Sequence, residues 1–203
     1  MRSFWKRKSI MSHLSIKTLC AAASALSICA TAWAQPVPAA AYTHVLPASS
    51  VSFSATQMGV PMKGHFKTVT AQIDFMPGDL AKSHVEVAVQ SASVDAGSAQ
   101  TNALLAGADW LAAKADPQAR FVSTHFTPDG PGHYWLNGTF SVKGHSQPLR
   151  VQVSTHPDGK DLIMDAAFKL DRTAFGLGTG SWADTSVVAA AIAVQVHLVV
   201  SPQ

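Results

Sequence analysis

From about Ser49 to Val200, apolar and polar side chains alternate with a period of two in block after block, and this pattern constrains the fold more than any other feature of the chain. Successive side chains of a strand point to opposite faces, so each block predicts a strand with one apolar side. Val51, Phe53 and Ala55 form the first, and Val69, Ala71, Ile73 and Phe75 the second. Val85, Val87 and Val89 follow, then a strand around Arg120 to Thr127, then Tyr134, Leu136, Phe140 and Val142. Leu149, Val151 and Val153, then Leu162 to Leu170, then Ile192 to Val200 bring the expected count to eight. Pro128-Asp129-Gly130-Pro131-Gly132 and Pro157-Asp158-Gly159 are turn chemistry at hairpin spacing, which makes neighbouring strands antiparallel.

One segment departs from the alternation. Ser98 to Lys114 is rich in Ala and Leu and ends before Asp116-Pro117, so it predicts a short helical insertion between the third and fourth strands. Eight antiparallel strands favour closure, because a barrel has no exposed edges and eight strands can enclose a small ligand. The same alternation is compatible with a β-sandwich.

The chain has 203 residues, the size of one domain, with 15 Lys and Arg against 12 Asp and Glu. Arg2, Lys6, Arg7, Lys8 and Lys17 all precede Ala34 with no acid among them, leaving ten bases against twelve acids in the remainder. The basic balance belongs to the N-terminus and offers no argument for a nucleic-acid surface. A basic start, the apolar run Thr18 to Ala30 and Ala32-Trp33-Ala34 predict a signal peptide over residues 1–34, cleaved before Gln35, whether initiation is at Met1 or Met11. Export to the periplasm is the expectation. Residues 35–41 read as a linker, and 42–203 as the folded domain. Cys20 and Cys29 both lie in the leader, so the exported chain has no thiol chemistry.

No HExxH, P-loop, GxGxxG or GxSxG motif occurs, and Glu86 is the single glutamate after the leader. Eight histidines follow the leader, but none has another ligand at a spacing that places both on one face. The repeated tripeptides Lys63-Gly64-His65 and Lys143-Gly144-His145 read as strand ends with solvent-facing histidines. Two Tyr and three Trp after the leader are too few for the aromatic girdles of an outer-membrane barrel. Neither catalysis nor a metal or other cofactor is expected. A histidine-dependent metal enzyme or envelope hydrolase is the alternative. The apolar faces suggest binding instead, since an apolar chain entering a dry interior gains about 0.8 kcal/mol per CH₂. The same side chains would equally fill a solid core.

Several stretches, in order, resemble the YceI-like family, the secreted polyisoprenoid-binding proteins of bacteria. They are Ser50-Val51-Ser52-Phe53 with Gly64-His65-Phe66, Ile73-Asp74-Phe75 before Pro77, and Ser93-Val94-Asp95-Ala96-Gly97. Leu104-Leu105 to Asp109-Trp110-Leu111, Pro117 to Thr124, Gly138 to Gly144 and Leu170 to Asp184 continue the likeness, while Gln57 stands where a His is common in the family. The resemblance implies a lipocalin-like eight-stranded antiparallel barrel around an isoprenoid quinone precursor or similar lipid. Candidate cavity residues are Phe53, Phe66, Leu104, Leu105, Trp110 and Phe121, with Phe140, Met164, Phe168, Phe175 and Trp182. Arg172 is a candidate head-group contact, or else a structural residue that pairs with Asp184 or caps the Gly176–Gly180 loop. Transient membrane contact and a homodimer are further expectations.

Overall fold

The computed structural model describes residues 41–203; the expected leader, and the expected linker apart from Ala41, lie outside the described residues. Eleven strands form one antiparallel sheet. They are β1 (Tyr42–Val45), β2 (Ser50–Gln57), β3 (Val60–Phe66), β4 (Val69–Asp74), β5 (His84–Gln90) and β6 (Val94–Asp95). After the helix α1 (Ala99–Ala106) come β7 (Gln118–Pro128), β8 (His133–Val142), β9 (His145–Asp158), β10 (Asp161–Asp171) and β11 (Ala191–Pro202).

Three of these exceed the expected eight, and the pairings explain why. Only Lys67 and Thr68 separate β3 from β4, and a 3-10 turn, Ser91–Ser93, separates β5 from β6. Lys67 N–H donates to the Ser93 carbonyl (3.0 Å) and Gln90 N–H to that of Thr68 (3.1 Å), carrying the ladder across both bends. Each pair therefore acts as one long bent strand. So counted, pairing runs from β2 through β3/β4, β5/β6, β7, β8, β9 and β10 to β11, which returns to β2 with Val194 opposite Phe53. That is an eight-stave circuit. The third addition, β1, lies on β11 and exchanges two hydrogen bonds with Phe75, Tyr42 N–H donating at 3.0 Å and Phe75 N–H at 3.1 Å, which ties the far end of β4 to the barrel.

Two glycines thin the wall where aromatic rings need space. A Cβ on Gly64 would lie 2.4 Å from Phe53 Cζ, and one on Gly138 would lie 2.4 Å from both Phe121 Cζ and the Val122 carbonyl. Gly64 is thus a mid-strand seat for a ring, where the sequence suggested a strand end. Gly144 does sit in a turn, at φ 74° between β8 and β9.

The helix is shorter than expected. Ser98 caps it, its Oγ accepting from Thr101 N–H (3.1 Å), and Gly107 ends it despite the Ala-rich residues beyond. Packing divides the interior into two clusters. One, around Ile73, Phe75, Phe126, Leu162 and Val200, fills the end crossed by β1. The other, around Trp110, Val142, Phe175, Leu177 and Val188, lies beneath the loop from Arg172 to Ala190.

Candidate functional site

Space remains among these side chains: a cavity of about 240 Å³ lies inside the barrel. One water needs only roughly 10–15 Å³, so this is no packing defect. Met164, Ala166, Phe168 and Leu170 of β10 line it, each two residues from the next, as do Val194, Val196 and Leu198 of β11. The outward-facing residues between them include Ala167 and Lys169, both exposed. The alternation read in the sequence thus becomes an apolar lumen and a wet exterior.

Ten of the eleven sequence candidates line this cavity. Phe53 and Phe66 meet at 5.6 Å between ring centres on β2 and β3. Phe121, Phe140, Met164 and Phe168 come from β7, β8 and β10, while Leu104 and Leu105 project from α1. Trp182, within the closing loop itself, meets Trp110 at 6.0 Å between ring centres. Phe175 is the exception. It lies in the 3-10 turn Arg172–Phe175, beyond the end of β10 where strand parity stops, and packs edge-on against Phe140 (5.2 Å) outside the lining.

Arg172 also lies outside the lining, and of its two expected roles its bonds fit the structural one, capping the Gly176–Gly180 loop, rather than a head-group contact. Its side chain is wholly buried. Nη1 donates to the carbonyls of Leu177 (2.8 Å) and Gly178 (3.0 Å), and Nη2 to those of Trp182 (2.8 Å) and Val188 (2.9 Å). Nε donates to the Ala189 carbonyl at 3.2 Å. The guanidinium cross-links the loop that roofs the cavity, with Trp110 beneath it at 5.6 Å. Asp184 does not pair with it through the carboxylate, which instead accepts from Ser186 N–H (2.8 Å) and is held below its ordinary pKa by Ser186.

Three lining residues that sequence reasoning missed are polar: Gln57, Lys63 and Thr101. Every other lining residue is apolar. They lie at the end of β2, on β3 and on α1, so lumen polarity is confined to the end formed by the β2–β3 hairpin and the helix. Pro61 and Gly64 interrupt the pattern of β3, which hid the inward-facing Met62, opposite Ala55, and the exposed Lys63, opposite Ser54, that borders the lining. A signal was present in Gln57, which continues the inward parity of Val51, Phe53 and Ala55.

The described histidines line no part of this cavity. Among the described residues no three His, Cys, Asp or Glu side chains come together as a metal site. The nearest grouping is on the outer face, where His197 Nδ1 lies 2.7 Å and His156 Nδ1 3.9 Å from the Asp165 carboxylate.

The chain that folds into this barrel matches the family model of the YceI-like domain over residues 42–200. The chain belongs to the YceI-like family. Among curated relatives, a UPF0312 protein of Shewanella denitrificans is 29% identical over 114 residues, 56% of this chain and 60% of that protein. One from Vibrio cholerae is 26% identical over the same share. The matches thus span 60% of these relatives' length. The crystal structure of Burkholderia cenocepacia BcnA shares 38% identity and a TM-score of 0.72, covering 74% of this chain and 95% of that one. A polyisoprenoid binding domain from Saccharophagus degradans aligns with a TM-score of 0.63 over 82% of this chain and all of that one. At 12% identity, that likeness concerns the YceI-like fold alone.

Proposed function

We propose that the chain is an exported carrier which holds a long-chain lipid, of the isoprenoid class or similar, in the barrel cavity and performs no chemistry on it. The observation that carries this reading is the distribution of polarity: an apolar lumen whose polar lining residues, Gln57 and Thr101 with the exposed Lys63 at their border, gather at one end. A hydrocarbon chain is stabilised by about 25 cal/mol for each Å² of apolar surface removed from water. A polar head needs hydrogen-bond partners, and they are available at the hairpin end. The lipid therefore lies tail-first toward the end crossed by β1, with its head at the hairpin end beside Gln57 and Thr101. A solved polyisoprenoid binding domain of the same fold supports this class of ligand. The basic, apolar N-terminal segment ending in Ala32-Trp33-Ala34 supports delivery to the periplasm.

Phe168 tests the reading against the solid-core alternative, because its side chain lines the lumen while Lys169 next to it is exposed. Phe168→Ala should weaken binding of a polyprenol about ten-fold or more, with a stability loss below the roughly 3–5 kcal/mol of a Phe→Ala change in a filled core. Lys169→Ala should change neither. Equal polyprenol affinity in Phe168→Ala and the parent would contradict the carrier reading.

A further inference from the structure

The exposed large apolar side chains among the described residues are Met58 (76% exposed), Val60 (59%), Leu104 (39%) and Met62 (38%). Three lie at or beside the β2–β3 turn and the fourth on α1, the two elements that carry the polar residues of the cavity. Met62 and Leu104 line the cavity as well as meeting solvent, so the apolar lumen continues onto the outer surface there.

Met58 is the most informative of the four. It occupies the first centre of a two-residue hairpin turn at φ 49°, followed by Gly59 at φ 81°. Turns with both central residues at positive φ favour Asn-Gly, and a Met there brings a steric cost and an exposed thioether with no intramolecular gain. Neither the hairpin from Gln57 to Met62 nor α1 carries a charge. Lys63 follows immediately, exposed and with no acidic partner among the described residues.

From this arrangement, and resting on the carrier reading above, we infer that the β2–β3 hairpin and α1 form a portal that docks on a lipid bilayer and admits lipid directly to the cavity. Met58 and Val60 enter the region between head groups and acyl chains. Lys63, at the next level, meets lipid phosphates, and the opening between Met62 and Leu104 faces the membrane. An apolar tip with a basic shoulder matches the layered chemistry of an anionic bilayer surface.

Met58→Asn with Val60→Thr tests the portal without disturbing the fold, since Asn suits the positive-φ turn, Thr suits a strand, and neither residue lines the cavity. Co-sedimentation with vesicles of mixed phosphatidylglycerol and phosphatidylethanolamine should fall about ten-fold in the double variant. Uptake of a fluorescent polyene fatty acid from detergent should be unchanged. Vesicle binding equal to the parent's, or a parent that takes up the polyene but ignores vesicles, would overturn the portal while leaving the carrier reading intact. A parent dimer that the two substitutions split, with vesicle binding unaltered, would assign the patch to a second copy of the chain instead. Absence of polyene uptake in the parent would remove the carrier reading and, with it, the portal.

Discussion

Arg172 shows most directly how a single side chain positions the cavity. It is a buried cation satisfied by carbonyl dipoles, and in the structure its partners come from Leu177 to Ala189, the whole span of the roofing loop. Arg172→Met keeps the apolar stem but leaves those carbonyls without donors, at roughly 1–3 kcal/mol for each strongly desolvated group. We expect a loss of at least about 3 kcal/mol in urea unfolding, and Arg172→Lys should not restore it, because a single ammonium cannot span the fork of acceptors. Wild-type stability in Arg172→Lys would show that the fork geometry is dispensable. Gly138 is constrained by steric contact instead. Gly138→Ala drives a methyl group against the Val122 carbonyl, a backbone atom that cannot rotate away, and should cost about 1–3 kcal/mol.

At the scale of elements, the rim helix is held by a small polar cluster. Asn102 Oδ1 accepts from Ala96 N–H (2.7 Å), and its Nδ2 donates to Asp95 Oδ1 (3.2 Å). Asp95 also pairs with Lys67 Nζ (2.7 Å), and this bond, followed by the Gly97 N–H and Asn102, holds its carboxyl far below the ordinary 3.8. A depressed folded value means that this contribution is complete above the unfolded value and lost as pH falls below it through the folded one. Hydrogen exchange over residues 96–107 should therefore accelerate below about pH 4 relative to the barrel strands. Asn102→Ala should loosen the same segment at neutral pH by about 1–2 kcal/mol. Exchange in this segment that is independent of pH would dissociate Asp95 from the helix. Sequence legibility follows from the same local physics. Each long alternating block became a stave, and the lining residues Phe53, Phe121, Phe140, Met164 and Phe168 lie on those blocks, whereas Leu104, Leu105, Trp110 and Trp182 lie on the helix and loops, where parity is silent. β6 was hidden by its length of two residues, and β3 by Pro61 and Gly64. Phe175 was misplaced, and Arg172 was left with two roles, because parity carries no information past a strand end. The helix ended early because one Gly outweighs the Ala-rich run after it.

Across the whole molecule, the barrel encloses an apolar volume that water solvates poorly and that suits the lipid tail of the proposed function. The described histidines line no part of the cavity, and the hairpin end gathers polarity and exposed apolar groups together. Lipid binding should accordingly survive EDTA, because the cavity offers hydrocarbon contact rather than metal ligands. Loss of binding on chelation, restored by zinc, would move the function to the histidines. Occupation of the cavity by lipid is measured most directly by mass spectrometry of the organic extract of protein purified from its native cells. Ala166→Trp provides the comparison, because Ala166 lines the lumen and an indole there fills it from within. Near-stoichiometric long-chain lipid from the parent, and little from a folded Ala166→Trp variant, is the expected result. Equal lipid from both proteins, or none from either, would contradict it.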